Sequence, residues 1–153
     1  MSRFNVSLAS IALLVLVSGC LDSSGPGQAI PIEETTFASA LGVNLAQSTK
    51  TQNGVYYRDI TVGSGASVTN GNTLDVGYTG WLSSGFQFES STYSFILGTG
   101  NVIPGWHDGM QGMRVGGVRQ IIIPPHMAYG AGGSGPIPGN AVIVFRVEIL
   151  GAR

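Results

Sequence analysis

The sharpest pattern in the chain lies near its end. In "AVIVFRVEIL" (141–150), Ile143, Phe145, Val147 and Ile149 share one face, and Arg146 and Glu148 lie on the other. That two-residue period belongs to a strand with one buried and one wetter face. Upstream, "GVYYRDITVG" (54–63) reads as a strand closed by glycine. Asn70-Gly71 marks a turn, and a strand follows over 73–82. "FQFES" (86–90) and "YSFIL" (93–97) read as two further short strands. "VRQIII" (118–123) reads as a buried strand stopped by Pro124-Pro125. The period changes once in this region. In "IPGWHDGMQGM" (103–113), Trp106, Met110 and Met113 fall at i, i+4 and i+7, one apolar stripe of a helix. Pro104 suits its first turn, where a missing N–H has no partner to lose. The prediction is an α+β domain: a twisted antiparallel sheet with one short helix in its concavity.

Two segments precede this body. In "EETTFASALGVNL" (33–45), Phe37, Leu41 and Leu45 recur every four residues, which predicts a short helical arm weakened by Gly42. The chain opens with "MSRFNVSLASIALLVLVSGC", where Arg3 is followed by an apolar run from Val6 to Val17. The run is shorter than the roughly 20 residues of a membrane span and fits the core of an export signal. Its ending "VSGC" resembles a bacterial lipobox, which implies cleavage before Cys20 and lipidation of that thiol. More than one acyl chain, at about 0.8 kcal/mol per buried CH₂, gives stable anchoring. The expected organisation is a signal over 1–19, a Ser/Gly/Pro-rich tether over 20–31, an arm over 32–53 and the domain over 54–153. Leu21, not Asp, follows the cysteine, which points to the periplasmic side of the outer membrane.

Composition removes several function classes. Seven basic residues face eight acidic ones and Lys50 is the only lysine, so no cationic block exists to displace phosphate counterions. Nucleic acid is not an expected partner. Cys20 is the only cysteine, which rules out disulfides within the chain and thiolate metal clusters. The 24 glycines, beside 43% hydrophobic residues, indicate tight turns between short strands and not disorder.

The catalytic inventory is equally sparse. No G-x-S-x-G elbow appears. The two histidines, His107 and His126, read as surface or loop residues, not bases. No His or carboxylate spacing suits a metal, and neither "GSGAS" nor "GAGGSG" continues into a phosphate loop. No cofactor or metal is expected. What remains is a set of aromatic and branched aliphatic residues with few polar groups, the lining of a concave apolar site.

Four segments in order resemble the motifs of the FK506-binding-protein (FKBP) type of peptidyl-prolyl cis-trans isomerase: "YTGWLSSGFQFESS", "FILGTGNVIPGWHDGMQGMRVGG", "IIIPPHMAYGAGG" and "IPGNAVIVFRVEIL". The resemblance covers roughly 54–150. It implies a sheet of about five strands wrapped on one helix, and noncovalent catalysis of X–Pro rotation. The partners it implies are proline-containing segments of folding envelope proteins, and macrolides of the FK506 type. It assigns catalysis to Tyr78, Phe88, Glu89 and Tyr129. It assigns substrate binding to Tyr93, Val102, Ile103, Trp106, Ile137 and Phe145. Trp106 would floor the pocket, the Ile103 N–H and Tyr129 hydroxyl would hold ligand carbonyls, and Glu89 would supply negative potential.

The sequence departs from the family at three points. Where the family usually has Asp, Glu89 is one methylene longer. The following "SSTY" reads as a short loop without the basic residue common there, and "GAGGSGPIPGN" lacks the common His. The alternative function is therefore a binding module or holdase of the same fold with little catalysis, and Glu89 is the residue that divides the two readings. A third option, a structural envelope lipoprotein, requires the pocket to be filled by the chain's own side chains.

Overall fold

The computed structural model describes residues 27–153. Cys20, the apolar run before it and the start of the tether lie outside the described residues. Among the described residues there are six strands: β1 (Thr49–Lys50), β2 (Tyr56–Thr61), β3 (Thr73–Leu82), β4 (Gln87–Ile96), β5 (Val118–Ile123) and β6 (Ile143–Ala152). One α-helix, α1 (Pro104–Met110), lies between β4 and β5. The strands form one antiparallel sheet in the order β1-β2-β5-β6-β3-β4. The α+β expectation holds, with β1 as a two-residue addition to the sheet of about five strands that the resemblance implies.

The concave face is built as the alternation in β6 dictates. Ile143, Phe145, Val147 and Ile149 are all buried there, with Leu74, Val76, Ile121 and Ile123 from neighbouring strands. The helix crosses this face closely because two glycines meet β5. A Cβ on Gly105 would come within 2.3 Å of Ile123 Cγ2, and one on Gly109 within 2.6 Å of Ile121 Cγ2. The helix ends at Met110, earlier than the predicted 113, where Gln111 turns extended and Gly112 takes a φ of +71°. Met113 is buried nonetheless.

Arg119 fixes that helix end. It is 4% exposed within β5. Its Nη1 donates to the carbonyls of Gly109 (2.9 Å) and Gln111 (3.1 Å), and its Nε and Nη2 donate to the Asp59 carboxylate at 2.7 and 3.0 Å. One buried cation thus satisfies carbonyls that the helix itself leaves open and finds its counter-charge on β2.

Three further sequence expectations are corrected. The arm is not one helix but three 3₁₀ turns, Ile32–Glu34, Ser39–Leu41 and Leu45–Gln47. Gly42, at φ +58°, breaks it as its lack of helix propensity suggests. The interval of four survives because Phe37, Leu41 and Leu45 still pack together onto the sheet.

The second correction concerns the convex face, which is less wet than foreseen. Ile32 and the arm's apolar residues cover Tyr56, Ile122, Val142 and Val144 there. Hydrogen bonds tie the arm down: Gln120 Nε2 donates to Leu41 O (2.7 Å), Arg58 Nη2 to Gly42 O (2.9 Å) and Ala38 N to Ser83 O (2.8 Å).

The third is that "FQFES" and "YSFIL" are not two strands. β4 is continuous, and "SSTY" belongs to it. Ser90, Ser91 and Thr92 pair with Thr79, Tyr78 and Gly77. Backbone pairing needs no apolar side chains on an edge strand, so the polar residues that suggested a loop do not interrupt it.

Candidate functional site

The site grows out of the concave core where the aromatic residues of four elements converge. Trp106, in the first turn of α1, is 5% exposed and lies flat in the cluster. Tyr78 from β3 meets it edge-on at 4.9 Å between ring centroids, and Phe145 from β6 does so at 5.3 Å. Phe95 from β4 lies at 5.6 Å. Edge-to-face contacts of this kind set ring orientation as well as burying area. The result is a cup of about 400 Å³ whose floor cannot tilt without moving three other rings.

Of the ten pocket residues predicted, eight line this cup: Tyr78, Glu89, Tyr93, Val102, Ile103, Trp106, Tyr129 and Phe145. Phe88 stands behind it, perpendicular to Phe145 at 5.6 Å. Ile137 also lies outside the lining, buried in the core at 6% exposure. The strand register explains the selection. Glu89 and Tyr93 pair across from Gly80 and Val76, on the concave side of β4, whereas Ser90 faces the other way and meets Thr79 Oγ1 at 2.9 Å.

Sequence reasoning missed Gly100 and Asn101, which line the rim before Val102. It also missed Gly80, the last residue of "YTG". A Cβ there would lie 2.5 Å from Phe88 Cζ and 2.6 Å from Phe145 Cε1. Glycine at this point lets the Phe145 wall and Phe88 behind it stand close together.

The polar groups are few and sit at the opening. Burial first, then the neighbouring Glu89 carboxylate, pushes the Tyr78 phenol well above its ordinary value. The same two causes raise Tyr129. Both hydroxyls therefore stay protonated at neutral pH and remain hydrogen-bond donors. The Ile103 N–H has no backbone acceptor among the described residues. A compact apolar group can rest on the indole, with the Tyr78 and Tyr129 hydroxyls and one exposed carboxylate among the lining.

Fold and site together define an α+β domain with one aromatic-lined cup on the concave face of its sheet. Residues 65–150 match the FKBP-type peptidyl-prolyl cis-trans isomerase family. The FK506-binding protein of Neisseria meningitidis serogroup B is 42% identical over 103 residues, covering 63% of this chain and 94% of that protein. FK506-binding protein 4 of Gibberella zeae is 42% identical over 115 residues, 72% of this chain but 22% of the fungal protein. The chain thus spans about a quarter of its long fungal relatives and nearly all of the neisserial one. Among solved structures, FkpA from Escherichia coli superposes with a TM-score of 0.65 at 33% identity, covering 70% of this chain and 52% of that one. AtFKBP13 gives 0.63 at 32% identity, covering 69% and 98%. The chain belongs to the FKBP-type peptidyl-prolyl cis-trans isomerases, enzymes that rotate the bond before proline.

Proposed function

We propose that this chain accelerates X–Pro rotation in proteins folding in the cell envelope. A lipid on Cys20 would hold it at a membrane, most simply on the periplasmic face of the outer membrane. The observation that carries the catalytic part is the cup itself: an indole floor, aromatic walls and a polar rim, gathered from β3, β4, α1 and β6 and the loops between them. The anchoring part is supported by the apolar run ending at a lone cysteine.

The chemistry needs no nucleophile. Rotation about a peptide bond faces about 18–20 kcal/mol because it breaks C–N double-bond character. The planar amide is the more dipolar state, and water stabilises it through the carbonyl. In the cup the proline ring lies on Trp106, with Phe145 and Val102 around it. Water is replaced by fixed groups, which costs the planar state more than the twisted one. Each difference of about 1.4 kcal/mol is tenfold in rate. The Ile103 N–H and the Tyr129 hydroxyl hold ligand carbonyls. Glu89 supplies negative potential beside the turning amide, and Tyr78 orients it. Phe88 acts through Phe145, behind the wall.

The test is an isomerisation assay on short X–Pro peptides, with apolar residues before proline expected to be preferred. The purified chain should accelerate exchange, Tyr129→Phe should lower kcat/KM, and Trp106→Ala should lower it further. An uncatalysed rate in the presence of well-folded protein overturns catalysis and leaves a proline-binding module. A gain of activity in Glu89→Asp would then assign the defect to the longer carboxylate.

A further inference from the structure

We propose that His107 is a positioning residue for the cup: its ring ties the rim segment 98–102 to the helix that carries the floor. The proposal rests on the isomerase reading above and adds a residue that reading does not contain.

The hydrogen-bond pattern of the rim carries the argument. Gly100, Asn101 and Val102 line the cup just before Ile103. Among the described residues, the other hydrogen bonds of 98–102 are local. Thr99 N and Oγ1 donate to Ile96 O at 3.3 and 2.8 Å, and Asn101 N donates to Thr99 O at 2.9 Å. The exception is Gly98 N–H, which donates to His107 Nδ1 at 2.9 Å. His107 directly follows Trp106 in α1. This bond joins the start of the rim to the helix that carries the indole floor.

This bond needs a particular form of the ring. Nδ1 accepts, so the neutral ring carries its proton on Nε2, a buried atom with no hydrogen-bond partner among the described residues. A doubly protonated ring would set N–H against N–H and release the rim. The polar neighbours of the helix are engaged elsewhere. Asp108, on the same helix, is held by Thr51 Oγ1 (2.5 Å) and Asn53 Nδ2 (3.2 Å). His126 meets Asn53 O from the segment after β5 (3.2 Å). Tyr93 stacks on Phe95, whose ring stands 6.0 Å from His107. The rim and the Asn70 turn contribute no charged side chain.

A rim that is only part of the time in place lowers apparent affinity in proportion and leaves the chemical step alone. With His107→Ala, KM for an X–Pro peptide should rise about three- to tenfold, the range of one lost hydrogen bond, at nearly constant kcat. Asn places its Oδ1 where Nδ1 lies. His107→Asn should keep the wild-type KM. Amide hydrogen exchange at Gly98 gives a readout that needs no substrate: protection in wild type and His107→Asn, loss in His107→Ala. If the wild type proves inactive on peptides, the isomerase reading fails while exchange still judges the tether. Equal Gly98 protection in all three proteins overturns the proposal. So does a fall in kcat at constant KM, or a His107→Asn variant no better than His107→Ala.

Discussion

Gly80→Ala puts one methyl group behind the cup and should cost far more than its size suggests. Gly80 sits in β3 between Phe145 on β6 and Glu89 on β4. The new Cβ would lie 2.5–2.6 Å from ring carbons of both Phe88 and Phe145. Carbon atoms settle at about 3.5–4.0 Å, so the rings must give by about 1 Å. Phe145 has little room to give, being 1% exposed with Trp106 edge-on at 5.3 Å and Tyr78 at 6.1 Å. The open space beside it is the cup that it lines. Overpacking of this kind costs about 1–3 kcal/mol of stability. A displacement of about 1 Å in an oriented site costs on the order of 10²-fold in rate. The assay is kcat/KM on an X–Pro peptide, with urea denaturation of the same samples to confirm that the variant is folded. Gly77→Ala is the control: it lies in the same strand, but its Cβ would meet Leu150 Cδ1 at an ordinary 3.7 Å. Activity of Gly80→Ala within threefold of wild type would refute the reasoning, as would an equal loss in Gly77→Ala.

Glu33 should make the arm's attachment depend on pH. Its carboxylate accepts from Lys50 Nζ at 2.5 Å and from the Tyr56 hydroxyl at 2.6 Å. These bonds, Lys50 first, draw its pKa down from 4.5 to about 2. A depressed carboxylate stabilises the fold above its unfolded value and loses that contribution as pH falls through its folded value. Glu33→Gln should therefore lower the urea midpoint at pH 7, with the gap closing between about pH 4.5 and 2. The gap should be small, because about half of each side chain meets water and screening weakens the pair; a gap unchanged at pH 2 would count against the bond. Cys20→Ser should move the protein from the membrane fraction to the soluble fraction after cell lysis, and an unchanged distribution would sink the lipid anchor.

Local pattern carried much of this molecule. The alternation of β6, the turn at Asn70-Gly71 and the stripe of Trp106 and Met110 each follow from which side of a strand or helix faces the core. Those properties need only neighbouring residues, and the motif order added most of the cup's lining. Tertiary structure decided what periodicity cannot carry. Whether Val144 and Ile122 meet water or an arm depends on a segment about 80–110 residues away in the chain. Whether "SSTY" is a loop or a strand depends on β3 offering its edge. The close approach of two phenyl rings at Gly80 and the bond from Gly98 to His107 exist only once the sheet has closed over the helix. Sequence fixes the side a residue faces, because that is set by backbone geometry within a few residues. The neighbour it meets there is a long-range packing outcome, and in this chain such neighbours shape the cup.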